Sequence, residues 1–192
     1  MFSDPQKNLA QFDIAPGMKV ADFGSGAGHY ALLLGRAVGP SGQVFALDVQ
    51  KDLLVTLKRE AEKAHLFNIE IVWSDFDGSG GTKLKSGVIE RGIVANVLFQ
   101  INHKENLARE IARVMRPDGK LLVIDWLDSF GGIGPEPKSV FLKEKCRTLF
   151  EQAGFGLEKE ISAGLHHYGF VFKKSDNPNA KKVQSMGLVD VK

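Results

Sequence analysis

The chain has 192 residues, 43% hydrophobic and 25% charged, with a formal net charge of +2, enough for one well-buried domain and short for two. No apolar run approaches the ~20 residues needed to cross a bilayer, and the N-terminal Met-Phe-Ser-Asp-Pro-Gln-Lys lacks the layout of a signal peptide, so the default address is cytoplasmic. One cysteine, Cys146, excludes an internal disulfide, no Cys/His cluster has metal-ligand spacing, and the lysine-bearing stretch from Lys173 onward carries +3, leaving residues 1–172 at about −1 and without the basic balance of a nucleic-acid binder.

Strand-like and helix-like segments alternate along the chain. Met18 to Phe23 reads as a first strand, followed by glycines at 24, 26 and 28 and a helix with Tyr30, Leu33, Leu34, Ala37 and Val38 on one face. Gln43 to Leu47 is a second strand, and the next helix buries Leu53, Leu54, Leu57, Ala61 and Ala64. Ile69 to Trp73 is a third strand. The stretch 75–87 has four glycines and reads as an irregular crossover with at most a short helix.

Gly92 to Val97 supplies a fourth strand, for which Glu90-Arg91-Gly92 is a poor opening. Asn102 and Glu105 have the spacing of a capping box at the head of a helix carrying Leu107, Ile111 and Val114, and Arg116-Pro117-Asp118-Gly119 ends that helix. Lys120 to Trp126 is the fifth strand, and a glycine- and proline-rich loop runs from Asp128 to Pro137. A helix over Ser139 to Ala153 presents Leu142, Cys146, Leu149, Phe150 and Ala153, with Gly154 placed to cap it. Phe155 to Ser162 and Leu165 to Phe172 form an antiparallel hairpin, and 173–192 reads as a polar, loose tail after a domain spanning 1–172. Repeated strand–helix units give a single α/β domain of the doubly wound, Rossmann-like class, with its ligand at the carboxyl ends of the strands.

The segment Val20 to Gly28 carries the chemistry. Glycines let the backbone approach a ligand closely, the following helix offers unpaired N–H groups, and Asp48, at the end of the second strand, can accept hydrogen bonds from two ribose hydroxyls. A nucleoside site follows. The dinucleotide fingerprint needs a small residue at 29, where this chain has His29, and the pattern here is acidic-x-G-x-G-x-G beginning at Asp22.

In this motif the chain resembles the class I S-adenosylmethionine-dependent methyltransferases, of the methyltransferase-11 or UbiE-like kind. The likeness runs from about Ala15 to Phe172 and includes Arg116-Pro117-Asp118-Gly119-Lys120-Leu121, similar to that family's turn into strand five. It implies a seven-stranded sheet of order 3-2-1-4-5-7-6 and S-adenosyl-L-methionine as cofactor. It further implies that Gly24, Ser25, Gly26 and Gly28 meet the methionine portion, with Asp22 orienting the loop and reaching the amino group. Asp48 would hold the ribose, Val49 and Phe76 would flank the adenine, and Asp75 would accept from its amino group.

Asn96 follows strand four, where the family lines the methyl-transfer site, and the resemblance implies that it binds the cofactor, through its backbone. With Phe99 it has the spacing of an N-P-P-Y/F motif, but Val97-Leu98 replaces the prolines. His29, Phe99, Asp125 and Trp126 are substrate-pocket candidates, and no catalytic base is assigned. His166-His167-Tyr168 reads as a structural pair, since adjacent strand residues face opposite ways. The leading expectation is methyl transfer to a small molecule. An RNA methyltransferase or its accessory subunit and a non-catalytic nucleoside-binding domain are the alternatives. The substrate pocket could be completed by the first ~15 residues, by Ser129 to Pro137, or by another subunit of a homo-oligomer.

Overall fold

The computed structural model describes residues 3–78 and 81–175. Its strands are β1 (Lys19–Phe23), β2 (Gln43–Asp48), β3 (Ile69–Trp73), β4 (Ile89–Ala95), β5 (Met115–Trp126), β6 (Phe155–Ile161) and β7 (His167–Lys174). They form one sheet in the order β3-β2-β1-β4-β5-β7-β6. β1 to β5 run parallel, and β7 is antiparallel to both its neighbours. The helices are α1 (Pro5–Leu9), α2 (His29–Val38), α3 (Lys51–Lys63), α4 (Lys104–Val114) and α5 (Lys143–Gln152).

The strands are apolar on both sides because both sides are covered. Along β5, Leu121 and Val123 pack with Leu107 and Ile111 of α4 and Phe150 of α5, while Leu122 and Ile124 pack with Leu34 of α2. Period-two alternation therefore yields a continuous hydrophobic run, as expected for a sheet buried between two helical layers. Strand order reverses between β1 and β4, and the carboxyl ends of these two strands leave the crevice in which α/β proteins of this type bind ligands.

Several boundaries differ from the sequence reading. β4 begins three residues before Gly92, because Glu90 and Arg91 are held at the sheet's lower rim: the Glu90 carboxylate accepts from Lys19 N and pairs with Arg116, and Arg91 Nε donates to Asp13 O. It ends at Ala95, so Asn96 and Val97 belong to the turn beyond. β5 begins at Met115, with a bulge in which Ile89 pairs with Met115 and Arg91 with Lys120, so that 116–119 protrudes and Asp118 takes φ +63°. Ala37 is exposed, and α5 starts only at Lys143, leaving Leu142 outside the helix and exposed. β7 continues to Lys174, with Lys173 in register with Lys120. The remainder of the expected tail, from residue 176, lies outside the described residues.

The capping box does not form. His103 occupies the N-cap position of α4 and its side chain caps nothing. The cap comes instead from the crossover between β3 and β4, which carries no helix among its described residues and is tied to α4 at two places. Asp77 receives the amides of Asn102 and His103. Further along, Glu110 Oε1 accepts from both N and Oγ1 of the fully buried Thr82, at 2.7 and 2.6 Å, and Glu110 pairs with Arg113.

Hydrogen bonds from Arg113 and Thr82 hold the Glu110 carboxyl at about 2, well below its ordinary 4.5. A depressed folded-state value means stability that is present above pH ~4.5 and is lost as pH falls toward 2. Glu110→Gln should lower stability at pH 7 by about 1–2 kcal/mol, discounted for the partly exposed Arg113 partner. It should also flatten the acid limb of a melting-temperature profile. An unchanged profile between pH 5 and 3 contradicts this tie.

Candidate functional site

β1 delivers Asp22 to the crevice, and the glycine loop then folds back over the end of β2. Gly24 N and Ser25 N both donate to Leu47 O, and Gly26 N donates to Asp48 Oδ2 at 2.8 Å. The second Asp48 oxygen accepts from Gln50 N at 2.8 Å, so its carboxylate is fixed by two backbone amides. The loop glycines adopt φ of +82°, +53° and +98° at 24, 26 and 28. A Cβ on Gly24 would lie 2.3 Å from Val97 Cγ2 and one on Gly28 2.2 Å from Leu57 Cδ1, whereas one on Gly26 would meet nothing within 4 Å. Gly24 and Gly28 thus make close approaches to protein, and Gly26 presents bare backbone to open space.

That space is a cavity of about 550 Å³, within the range of small-molecule and cofactor sites. Asp22, Gly24, Ser25, Gly26 and His29 line it from β1 and α2, Asp48 and Val49 from β2, Asp75 and Phe76 from beyond β3, and Asn96 from beyond β4. Three buried atoms on its walls have no hydrogen-bond partner among the described residues: Asp22 Oδ2, Ser25 Oγ and Asn96 Oδ1. Buried polar groups are seldom left unpaired unless a ligand or ordered water completes them. Burial pushes the Asp22 carboxyl up to about 7, against the opposing hydrogen bond from the Ala31 amide.

Asn96 is held in a left-handed conformation at φ +58°. Its N donates to Ile124 O, and its carbonyl accepts from Gln100 Nε2. Asp125 supports this turn from beneath. It is fully buried, accepts from Leu98 N and Trp126 N at 2.8 Å each, and is pushed to about 6 by that burial.

Four of the expected site residues do not line the cavity. Gly28 packs under Leu57, and Phe99 sits in the 3-10 turn Leu98–Gln100, from which Gln100 reaches the cavity instead. Asp125 and Trp126 cannot both face one crevice because neighbouring strand residues point to opposite sides. Asp125 turns to the α4–α5 layer, while Trp126 packs on His167 in a tilted contact with ring centroids 4.2 Å apart. His166 pairs with Asp128 at 2.9 Å, and neither ring nitrogen of the buried His167 has a partner among the described residues. No group of three metal-ligating side chains forms among the described residues.

Other residues complete the lining, two of them from the first ~15 residues, one of the three segments the sequence offers for this. Ser3 and Pro5 come from the N-terminal segment, Tyr30 from α2, Asp77 from the crossover, and Ile101 from the turn before α4. Buried Asn8 clamps α1 in place, its Nδ2 donating to both Tyr30 Oη and Ser3 Oγ at 2.8 Å. The available signal was Asp4-Pro5, an N-cap followed by proline at the first helical position. The cavity therefore takes part of its wall from the first residues and none from Ser129 to Pro137.

A family model described as a methyltransferase domain matches residues 14–154 of this chain. The chain belongs to that methyltransferase family. It is 30% identical over 113 residues to a ubiquinone/menaquinone biosynthesis C-methyltransferase UbiE of Bordetella parapertussis, a match covering 59% of this chain and 42% of that protein. The Pseudomonas fluorescens counterpart is 31% identical over 114 residues, covering 59% and 43%. The chain thus spans under half the length of these curated relatives. Among solved structures, a SAM-dependent methyltransferase from Aquifex aeolicus superposes with a TM-score of 0.81 at 27% identity, covering 90% of each chain.

The chain carries a methyltransferase domain with the class I sheet order, and the Aquifex aeolicus neighbour is named for dependence on S-adenosylmethionine. The site fits that cofactor on its own terms. Asp22, Asp48, Asp75 and Asp77 line the cavity, and the described lining residues include no lysine or arginine. Such a wall suits a sulfonium and an ammonium and repels the pyrophosphate of a dinucleotide. No helix among the described residues is long and apolar enough to cross a membrane.

Proposed function

We propose that this methyltransferase acts on a small acceptor that is uncharged or cationic. The carrying observation is the acidic wall of the cavity, with four carboxylates and neither lysine nor arginine among the described lining. A phosphate- or carboxylate-bearing acceptor would enter against that potential, which also disfavours an RNA backbone. The curated relatives, named for C-methyl transfer in ubiquinone/menaquinone biosynthesis, support a small-molecule acceptor.

When bound, the cofactor supplies a methyl group on a positively charged sulfur, open to in-line displacement. The residues of the chain bind and orient. The Gly24 to Gly28 loop and Asp22 would take the methionine portion, Asp48 the ribose hydroxyls, and Val49, Asp75 and Phe76 the adenine. Asn96 and His29 stand on the cavity wall where the acceptor would enter. Orientation of two reactants in one enclosed site supplies much of the rate, so no side chain is assigned as general base.

Two measurements test this reading. Asp48→Ala should weaken binding of S-adenosylhomocysteine about 100-fold, since hydrogen bonds to a charged partner contribute roughly 1.5–3 kcal/mol each. Wild-type affinity in that variant removes Asp48 from the site. For the acceptor, the enzyme is incubated with methyl-labelled cofactor and a metabolite extract split by ion exchange. Label should enter the neutral and cationic fractions. Label confined to the anionic fraction overturns the proposed class.

A further inference from the structure

Asp77 lies in the crossover after β3, in the wall of the cavity. Its Oδ1 accepts from His103 N at 2.7 Å and Asn102 N at 3.0 Å, and its Oδ2 accepts from Asn102 Nδ2 at 3.2 Å. These amides, His103 first, hold its carboxyl below the ordinary value. One carboxylate thus caps α4 from 26 residues away, at a helix whose own N-cap residue contributes no side-chain bond.

A cap needs only a short polar side chain at the N-cap position, and Ser, Thr, Asp or Asn at 103 would provide one locally. The remote arrangement does something a local cap cannot, because it joins two separate segments of the cavity wall. On one side, Asp75 Oδ1 accepts from Asp77 N at 3.0 Å and Gly78 N at 3.2 Å, which locks the Asp75-Phe76-Asp77 turn into a single unit. On the other, Asn102 and His103 directly follow Gln100 and Ile101, which line the cavity. Without Asp77, the segment bearing Asp75 and Phe76 would lose its bonds to the segment bearing Gln100 and Ile101.

We infer that Asp77 is a positioning residue for the cofactor, setting the span between the Asp75–Phe76 wall and the Gln100–Ile101 wall beyond its service as a helix cap. This rests on the reading that S-adenosylmethionine occupies this cavity. The positioned groups are Phe76 and Asp75, and Asp77 acts through them.

The experiment compares calorimetric titration of S-adenosylhomocysteine and thermal melting for the wild type, Asp77→Ala, and Asp77→Ala combined with His103→Asp. The carboxylate introduced by the second substitution supplies a local cap without joining the walls. Asp77→Ala is expected to melt lower and to bind about 10-fold more weakly. The double variant is expected to recover the melting temperature and to remain about 10-fold weak. Recovery of both properties overturns the inference and leaves Asp77 as a cap only, as does wild-type affinity in Asp77→Ala. If Asp77→Ala does not fold, Asp77→Asn replaces it. That variant keeps one acceptor oxygen and should bind between about 2- and 10-fold more weakly, and wild-type affinity there likewise overturns the inference. Failure of the wild type itself to bind points instead to the cofactor reading.

Discussion

Asp22→Asn is expected to bind S-adenosylmethionine about 10- to 100-fold more weakly than the wild type at pH 8 and to lose most of the pH dependence of that binding between pH 6 and 8. The wild-type carboxyl is poised at about 7 because it is buried, with one oxygen unpaired among the described residues. A cationic ligand group favours the carboxylate, so wild-type affinity should rise with pH through this window, and binding near pH 7 should release a fraction of a proton. Titration in buffers of different ionisation enthalpy measures that release. Equal proton release by wild type and variant, or equal affinity at pH 8, removes Asp22 from the ligand's contacts.

The same substitution should stabilise the empty protein at alkaline pH. The folded-state value of about 7 lies above the ~3.9 of an unfolded chain, so the folded state binds more protons between these two values. Stability contributed by this group therefore falls as pH rises from ~4 through 7. An amide has no charge to bury, and Asp22→Asn should be about 1–3 kcal/mol more stable than the wild type at pH 8. Weaker binding together with a higher melting temperature distinguishes a functional carboxylate from a structural one, whose removal would lower both.

The second large effect separates two glycines only two residues apart. Gly24→Ala places a Cβ 2.3 Å from Val97 Cγ2 at a backbone φ of +82°, combining overpacking with left-handed strain. The expected cost is about 2–4 kcal/mol. Val97 adjoins Asn96, so the shift should also disturb the turn after β4. Gly26→Ala meets nothing within 4 Å at φ +53°, and its cost should be about 1 kcal/mol from conformation alone. Its methyl group would stand in the cavity, so cofactor affinity should fall at least about 10-fold while the melting temperature moves by only a few degrees. Wild-type cofactor affinity in Gly26→Ala refutes a ligand at this loop, and an unchanged melting temperature in Gly24→Ala refutes the tight approach to Val97.

The sheet and the glycine loop are legible in the sequence because their signals are local. Val44 to Leu47 is an unbroken apolar run, and Asp22 and Asp48 stand at strand ends where a carboxylate has few other tasks. The strand order comes with the family resemblance and holds through β6. What escapes a sequence reading depends on partners distant along the chain. Asn102 and Glu105 have capping-box spacing, yet the amides of Asn102 and His103 at the head of α4 go to Asp77, a choice invisible to a four-residue window. Glu90 looks like a poor strand opening because its partners, Lys19 N and Arg116, lie on two other strands. Asp125 is drawn toward the pocket by its position at a strand end, and only its bond to Leu98 N shows that it works from below. Ser3 and Pro5 reach the cavity through the Asn8–Tyr30 hydrogen bond, which joins residues 22 apart.

The sheet order carries a consequence for biosynthesis. β7 lies between β5 and β6, so the apolar edge of β5 from Leu121 to Trp126 has no neighbour on that side until residues 167–174 have been made. A nascent chain paused after α5 but before β7 would expose that edge and the Phe150 ring that packs against Phe172. The last described strand thus acts as a latch on synthesis. Ribosome-bound intermediates truncated before His167 should engage chaperones, and those that have extruded Lys174 should release them.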